Sequence, residues 1–126
     1  MAPERAPERA AGGAAAGEGP AGENAVRLVG RLASRGEPRI LPSGDTVVAL
    51  RVVVPRPVRR GAARAGVDTI DVACWSAASR RAAARLALED RVEVEGALRR
   101  RFFRSAGTVA SRYEVEVCHL RRVQPG

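Results

Sequence analysis

The sequence predicts an all-β chain: a five-stranded Greek-key barrel of the OB type, with one short helix between the third and fourth strands and an extended hairpin joining the fourth to the fifth. Three stretches carry that expectation. Val67 to Trp75 alternates, with Ile70, Val72 and Cys74 on one face and Thr69, Asp71, Ala73 and Trp75 on the other. Ser76 to Asp90 is rich in alanine, offers Ser76 or Ser79 as a helix cap, and repeats Ala78, Ala82 and Leu86 as a narrow apolar stripe at helical spacing. Arg91 to Arg99 alternates again, with Val92, Val94 and Leu98 as the buried set and Glu93 and Glu95 turned to water. One short helix between two such strands, in a chain otherwise made of strands, fits this barrel.

Taken in order, residues 1–23 repeat APERAPERA and continue with Gly and Ala, offering no aliphatic periodicity to bury, so a disordered tail is expected. The barrel domain is expected over 24–123, followed by a short end at 124–126. Asn24 to Ala33 is the first strand, with Val26, Leu28, Gly30 and Leu32 on one face and Arg27 and Arg31 on the other. A glycine inside a strand marks a bend or a close backbone approach, which a small barrel needs of its first strand. After a break at Arg35 and Gly36, Pro38 to Leu41 extends the sheet, and Leu41 to Thr46 (LPSGDT) is a tight turn, because Pro fixes one dihedral and Gly supplies positive φ.

Thr46 to Val54 is the second strand, with Val48, Leu50, Val52 and Val54 inward and Arg51 outward, ended by Pro55 and Pro57. Arg56 to Gly66 is a loop containing Arg56, Arg59, Arg60 and Arg64, which reads equally as a phosphate-grasping arm or as a solvated loop. The fourth strand continues past Gly96 through ALRRRFFR, Ser105 to Ala110 forms the hairpin tip, and Ser111 to Val123 is the fifth strand. On that strand Tyr113, Val115, Val117 and His119 share one face, and Glu114, Glu116 and Cys118 the other.

All 22 basic residues are Arg and none is Lys. That uniformity, with abundant Ala and Gly, looks like codon bias, so Arg itself says nothing about recognition chemistry. The amount of charge does: with Arg5 and Arg9 set against Glu4, Glu8, Glu18 and Glu23 in the tail, the rest carries 20 Arg against 10 acids. Such an excess on a small barrel favours a polyanion, and nucleic acid is the commonest. No apolar run approaches the roughly 20 residues needed to span a membrane and no signal-peptide core is present, so a cytoplasmic, nucleoid-associated protein is expected.

Cys74 and Cys118 are too few for a disulfide scaffold and lack zinc spacing, and both read as small core residues, with a contact between them possible across adjacent third and fifth strands. Cys118 and His119 point to opposite faces of a regular strand and could share an ion only across a bulge. Asp68 and Asp71 lack a neighbouring His, Lys or metal set, and no phosphate-cradling glycine loop precedes a helix, so neither an enzyme nor a metal or cofactor site is expected.

The residues resemble the bacterial single-stranded DNA-binding proteins from about Asn24 to Val117. The likeness rests on short patterns in order: Asn24 with Val26, Leu28, Val29, Gly30 and Leu32; Glu37 and Arg39; Pro42, Ser43 and Gly44; Val72, Ala73, Cys74 and Trp75; VEVEG with Leu98 and Arg99; and Arg112, Tyr113 and Glu116. Each pattern is weak alone, and their near-constant spacing makes the set specific. The resemblance implies an OB-fold that assembles as a homotetramer, with a dimer as the alternative, and binds single-stranded DNA with little sequence preference in replication, recombination or repair. Bases would stack on aromatic rings while arginines track phosphates.

By position, Trp75 and Phe103 match stacking residues of the family, and Arg31, Arg51, Arg56, Arg59, Arg60, Arg64, Arg99 and Arg101 are the candidate phosphate contacts. Phe102 and Phe103 are adjacent, so they face opposite ways, and Phe103 is the one assigned to a base. Tyr113 reads as a structural or interface residue and His119 as inert. The chain departs from the family at Val58 and Thr69, where it usually has aromatics, and at Ile40, where it often has Tyr. Fewer platforms and denser Arg imply binding that is more salt-sensitive than in an aromatic-rich relative. The family's acidic C-terminal tip has no counterpart after Arg122, so tip-mediated recruitment of repair enzymes is not expected and a shorter, accessory form fits. The competing reading is a protein-docking OB subunit, primosome-like, without strong DNA binding; a third is charge-driven binding of structured RNA.

Overall fold

The computed structural model describes residues 19–58, 60–61 and 66–124, so most of the expected tail and the positions of Arg59 and Arg64 lie outside the described residues. Its elements are β1 (Val26–Arg35), β2 (Arg39–Ile40), β3 (Thr46–Pro55), β4 (Val67–Cys74), α1 (Ala77–Ala84), β5 (Arg91–Ser105) and β6 (Thr108–Arg122). The sheet runs β1-β5-β6-β4-β3-β2, and β1 also pairs with β3, which closes five strands into a barrel with β2 as a short flap on β3. This is the OB architecture that the strand-helix-strand order implies, including the parallel β4–β6 contact through Val72↔Val115 and Ala73↔Glu116.

Closure needs a strand that serves two neighbours, and β1 is that strand. It pairs with β5 from Val26 to Arg31 and with β3 from Arg31 to Arg35, with a register shift between Leu32 and Ser34. Gly30 sits at the crossing, where a Cβ would lie 2.3 Å from the carbonyl oxygen of Val53. Inside, Leu32, Leu50, Val52, Val72, Val92, Val94 and Val115 are fully buried, the alternate set that period-2 geometry assigns to one face. The turn before β3 has Gly44 at φ 94° with its N–H donating to the Leu41 carbonyl at 2.8 Å.

Several details differ from the sequence reading, each for an identifiable reason. Helix α1 is capped by Ser76, whose Oγ accepts from the Ser79 N–H at 3.0 Å, but its buried face is Ser79 and Ala83 followed by Leu86, rotated by one residue from the Ala78–Ala82–Leu86 stripe. Ser79 tolerates that position because its hydroxyl donates to the Ser76 carbonyl at 2.9 Å. The hairpin tip is also tighter than Ser105 to Ala110. Pairing continues to Ser105↔Thr108, leaving a two-residue turn of Ala106 (φ 52°) and Gly107 (φ 80°), the double positive φ of a type I′ turn.

The remaining corrections lie on β5 and β6, whose register shifts beside Gly96. Glu95 pairs with His119 and Gly96 with Val117, so Cys118 has no partner and forms a bulge on β6. Cys118 follows the buried Val117 and points outward, so it is an exposed free thiol and not a core residue, while Cys74 is buried and also free. His119 is exposed beside it, but among the described residues no group of three or more His, Cys, Asp or Glu could hold a metal. Leu98 lies opposite the buried Val115 yet is 44% exposed, because beyond Gly96 the hairpin leaves the barrel wall. Glu93, expected in water, is buried and held by Arg27 and by Arg121, the latter at 2.6 Å. No helix among the described residues is long and apolar enough to cross a membrane.

Candidate nucleic-acid interface

Where β5 and β6 leave the barrel they form an arm with two faces. Cross-strand partners share a face, so the register Arg99↔Glu114, Arg101↔Arg112 and Phe103↔Ala110 puts Arg99, Arg101, Phe103, Arg112 and Glu114 together on one side. The parallel pairing of β4 with β6 brings Asp71, Ala73 and Trp75 to that same outer face, as the strand alternation of Val67 to Trp75 requires. Trp75 closes β4 just before α1, and its carbonyl is held by the Arg80 side chain.

The face is a chain of ring and guanidinium contacts. The Arg101 guanidinium carbon lies 4.2 Å from the centroid of the Trp75 ring, and that of Arg112 lies 5.6 Å from the centroid of Phe103. Beneath both arginines is Glu114, buried on the outer side of the sheet: its Oε2 is 3.6 Å from Arg101 Nη1 and its Oε1 is 3.9 Å from Arg112 Nε. Burial pushes the Glu114 carboxyl above its ordinary value, with Asp71 adding to the rise, while Arg101, Arg112 and the Trp75 indole N–H favour the charged form.

The opposite face of the arm also pairs arginine with aromatics. Arg100 lies 5.0 Å from Phe102 and 5.7 Å from Tyr113, and its Nε and Nη2 donate to the Ser111 hydroxyl at 3.3 and 3.2 Å. Phe102 and Tyr113 are exposed there together with Leu98 and Val109. The two adjacent phenylalanines do face opposite ways, with Phe103 on the Trp75 side.

The predicted arginines divide. Arg51 and Arg99 stand on the outer face with Arg101, paired with Asp71 at 3.2 Å and Glu116 at 3.0 Å. Arg31 is far from this group, opposite Arg91 at the other end of β5, and pairs with Glu89 at 3.2 Å. Arg56 sits past the end of β3, where its Nη2 meets Asp68 at 2.7 Å and holds that carboxyl below its ordinary value. Arg60 is exposed in the loop, and Arg59 and Arg64 fall outside the described residues. An exposed ion pair contributes about 0–1 kcal/mol, so a phosphate competes with these carboxylates on near-equal terms. Ile40, Val58 and Thr69, which stand where the resemblance implies aromatics, are all exposed.

Two residues of this face were missed in the sequence. Arg112 and Glu114 acquire their places only through the β5–β6 register, and a two-residue turn at Ala106 and Gly107 would have fixed it. Alternation places Glu114 on one face with Glu116 and does not say what covers it.

Comparison with known proteins gives a consistent result. The profile of the Single-strand binding protein family matches residues 23–123. Among solved structures, the Plasmodium falciparum SSB in complex with ssDNA superposes with a TM-score of 0.70 at 17% identity, covering 84% of this chain and 99% of the other. The small single-stranded DNA-binding protein of Streptomyces coelicolor superposes with a TM-score of 0.59 at 23% identity, covering 79% of this chain and 93% of the other. A search of curated protein sequences finds no match.

Proposed function

The chain belongs to the single-strand binding protein family, and from that premise we propose that it binds single-stranded DNA with little sequence preference on the outer face of β4, β5 and β6. Bases stack on Trp75 and Phe103, while Arg51, Arg99, Arg101 and Arg112 meet the phosphates. The observation that carries this reading is the shared face: two rings, which stack with any base, and four guanidiniums on one surface. The role is protection of single strands during replication, recombination or repair, and the family's proteins are not enzymes.

Trp75 is the single tryptophan, so its fluorescence reports the site directly. Titration with oligo-dT at low salt is expected to quench it, and Trp75→Ala is expected to lose both the signal and part of the affinity. Unchanged emission with no retarded oligonucleotide would sink the proposal in favour of a protein-docking subunit. Equal affinity for duplex and single strand would favour charge-driven RNA binding. The other face of the arm, with Leu98, Phe102, Val109 and Tyr113 exposed, supports self-association, and we assign a homotetramer, with light scattering as the check on a dimer.

A further inference from the structure

Trp75 is not an open platform in the free protein. The Arg101 guanidinium lies over its ring at 4.2 Å, the place and distance at which a stacked base would sit. Arg101 is on the arm, on a different strand from Trp75, so something must hold a long, many-rotamer side chain in that position. The neighbouring groups name it. Glu114 lies opposite Arg99 on the adjacent strand, is buried at 6% exposure, and stands 3.6 Å from Arg101 on one oxygen and 3.9 Å from Arg112 on the other.

A buried carboxylate is costly unless compensated, so Glu114 and the two arginines hold one another: removing the acid frees both cations, and moving the cations leaves the acid uncompensated. Asp71 on β4 is the other acid facing it, and adds to the demand for cations at this spot. Resting on the single-strand reading above, we propose that Glu114 is the positioning residue of the interface: it clamps Arg101 onto Trp75, so that the guanidinium occupies the base's place until a phosphate draws it away. A base and its phosphate then enter as one exchange, in which the ring loses a cation and gains a base while Arg101 turns to the backbone. Such a cover would weaken the binding of free bases and nucleosides, which bring no phosphate to lift it.

The test uses the full chain with Glu114→Gln, Arg101→Gln and, as a control, Arg99→Gln, which removes a cation from the same face without touching the ring. Acrylamide quenching of Trp75 in the free protein reads the cover without DNA. It is expected to rise about twofold in both Glu114→Gln and Arg101→Gln and to stay at the wild-type level in Arg99→Gln. With oligo-dT, Glu114→Gln is expected to bind roughly two- to fivefold more tightly at low salt, the size of one exposed cation–ring contact removed from the competition. Quenching at the wild-type level in both Glu114→Gln and Arg101→Gln overturns the clamp, as does weaker oligo-dT binding by a folded Glu114→Gln. Should Glu114→Gln fail to fold, Arg101→Gln alone decides, since that side chain is on the surface. If quenching rises as expected but the wild-type chain ignores oligo-dT, the clamp stands and the single-strand reading falls.

Discussion

The barrel and the arm are made from the same two strands, yet they bury different things. Along β5 and β6 the wall holds Val92, Val94, Val117 and Leu120 out of water, while past Gly96 the same ladder exposes Phe102, Phe103 and Tyr113 among arginines. The β5–β6 pairing runs through both parts and is interrupted at the Cys118 bulge. What changes is closure: in the wall β1 and β4 flank the pair and a core lies behind it, whereas among the described residues no further strand pairs with the arm beyond Leu98. Stability should therefore reside in the wall and recognition at the junction and the arm, and substitutions can separate the two.

The largest effect belongs to the wall. Leu50 is buried at 1% exposure in the centre of the core, so Leu50→Ala is expected to destabilise by about 2–5 kcal/mol, read by urea or thermal melts. Its folded fraction should bind oligo-dT as the wild type does; a matching loss of affinity would break the proposed separation. Gly96→Ala is the next test, at the point where wall becomes arm. A Cβ there would lie 1.9 Å from the Glu116 carbonyl oxygen, so the strands must part, at about 1–3 kcal/mol by analogy with overpacked cores.

Substitutions on the outer face should behave inversely. Phe103→Ala is expected to cost about 1–3 kcal/mol of single-strand binding, which is roughly 5- to 150-fold in Kd, with little change in melting temperature. Phe102→Ala on the opposite face should leave binding within about twofold and instead weaken self-association. If the two phenylalanines gave equal losses of affinity, the division of the arm into two faces would fail. A smaller effect is the salt slope. Arg99→Gln should flatten the dependence of log affinity on log salt by about 0.7, the value for one phosphate on a single strand.

The sequence made the wall legible and the junction only half so. Alternation in Thr46–Pro55 and Val67–Cys74, the capping serine and the turn at Gly44 are local signals, and the barrel follows from their order. Alternation also placed Trp75 outward. It could not foresee that Cys118 bulges, because a bulge is a relation between two strands and leaves no mark in either alone. The same blindness hid Glu93 and Glu114, two acids on the outer side that are buried under arginines from neighbouring strands. Period-2 reasoning names the face of a side chain, and only the register names what covers it.

The smallest perturbation tests the boundary of the wall at that bulge. Cys74 lies inside, and burial pushes its thiol up to about 12, so at pH 8 it is both protonated and out of reach of a thiol reagent. Cys118 lies outside and free. Native protein should therefore release one equivalent with a chromogenic disulfide and denatured protein two, with Cys118→Ser removing the native one and changing stability by no more than about 0.5 kcal/mol. Raising the pH from the ordinary thiol value of 9.0 toward 12 sharpens the contrast, because the folded state keeps a Cys74 proton that the unfolded state gives up. Stability from this group is complete below that range and declines as pH climbs through it, and Cys74→Ala should remove that part of the alkaline loss while Cys118→Ser leaves it in place. Two reactive thiols in the native state would mean that Cys74 is not sealed inside the wall, and none would mean that Cys118 is covered.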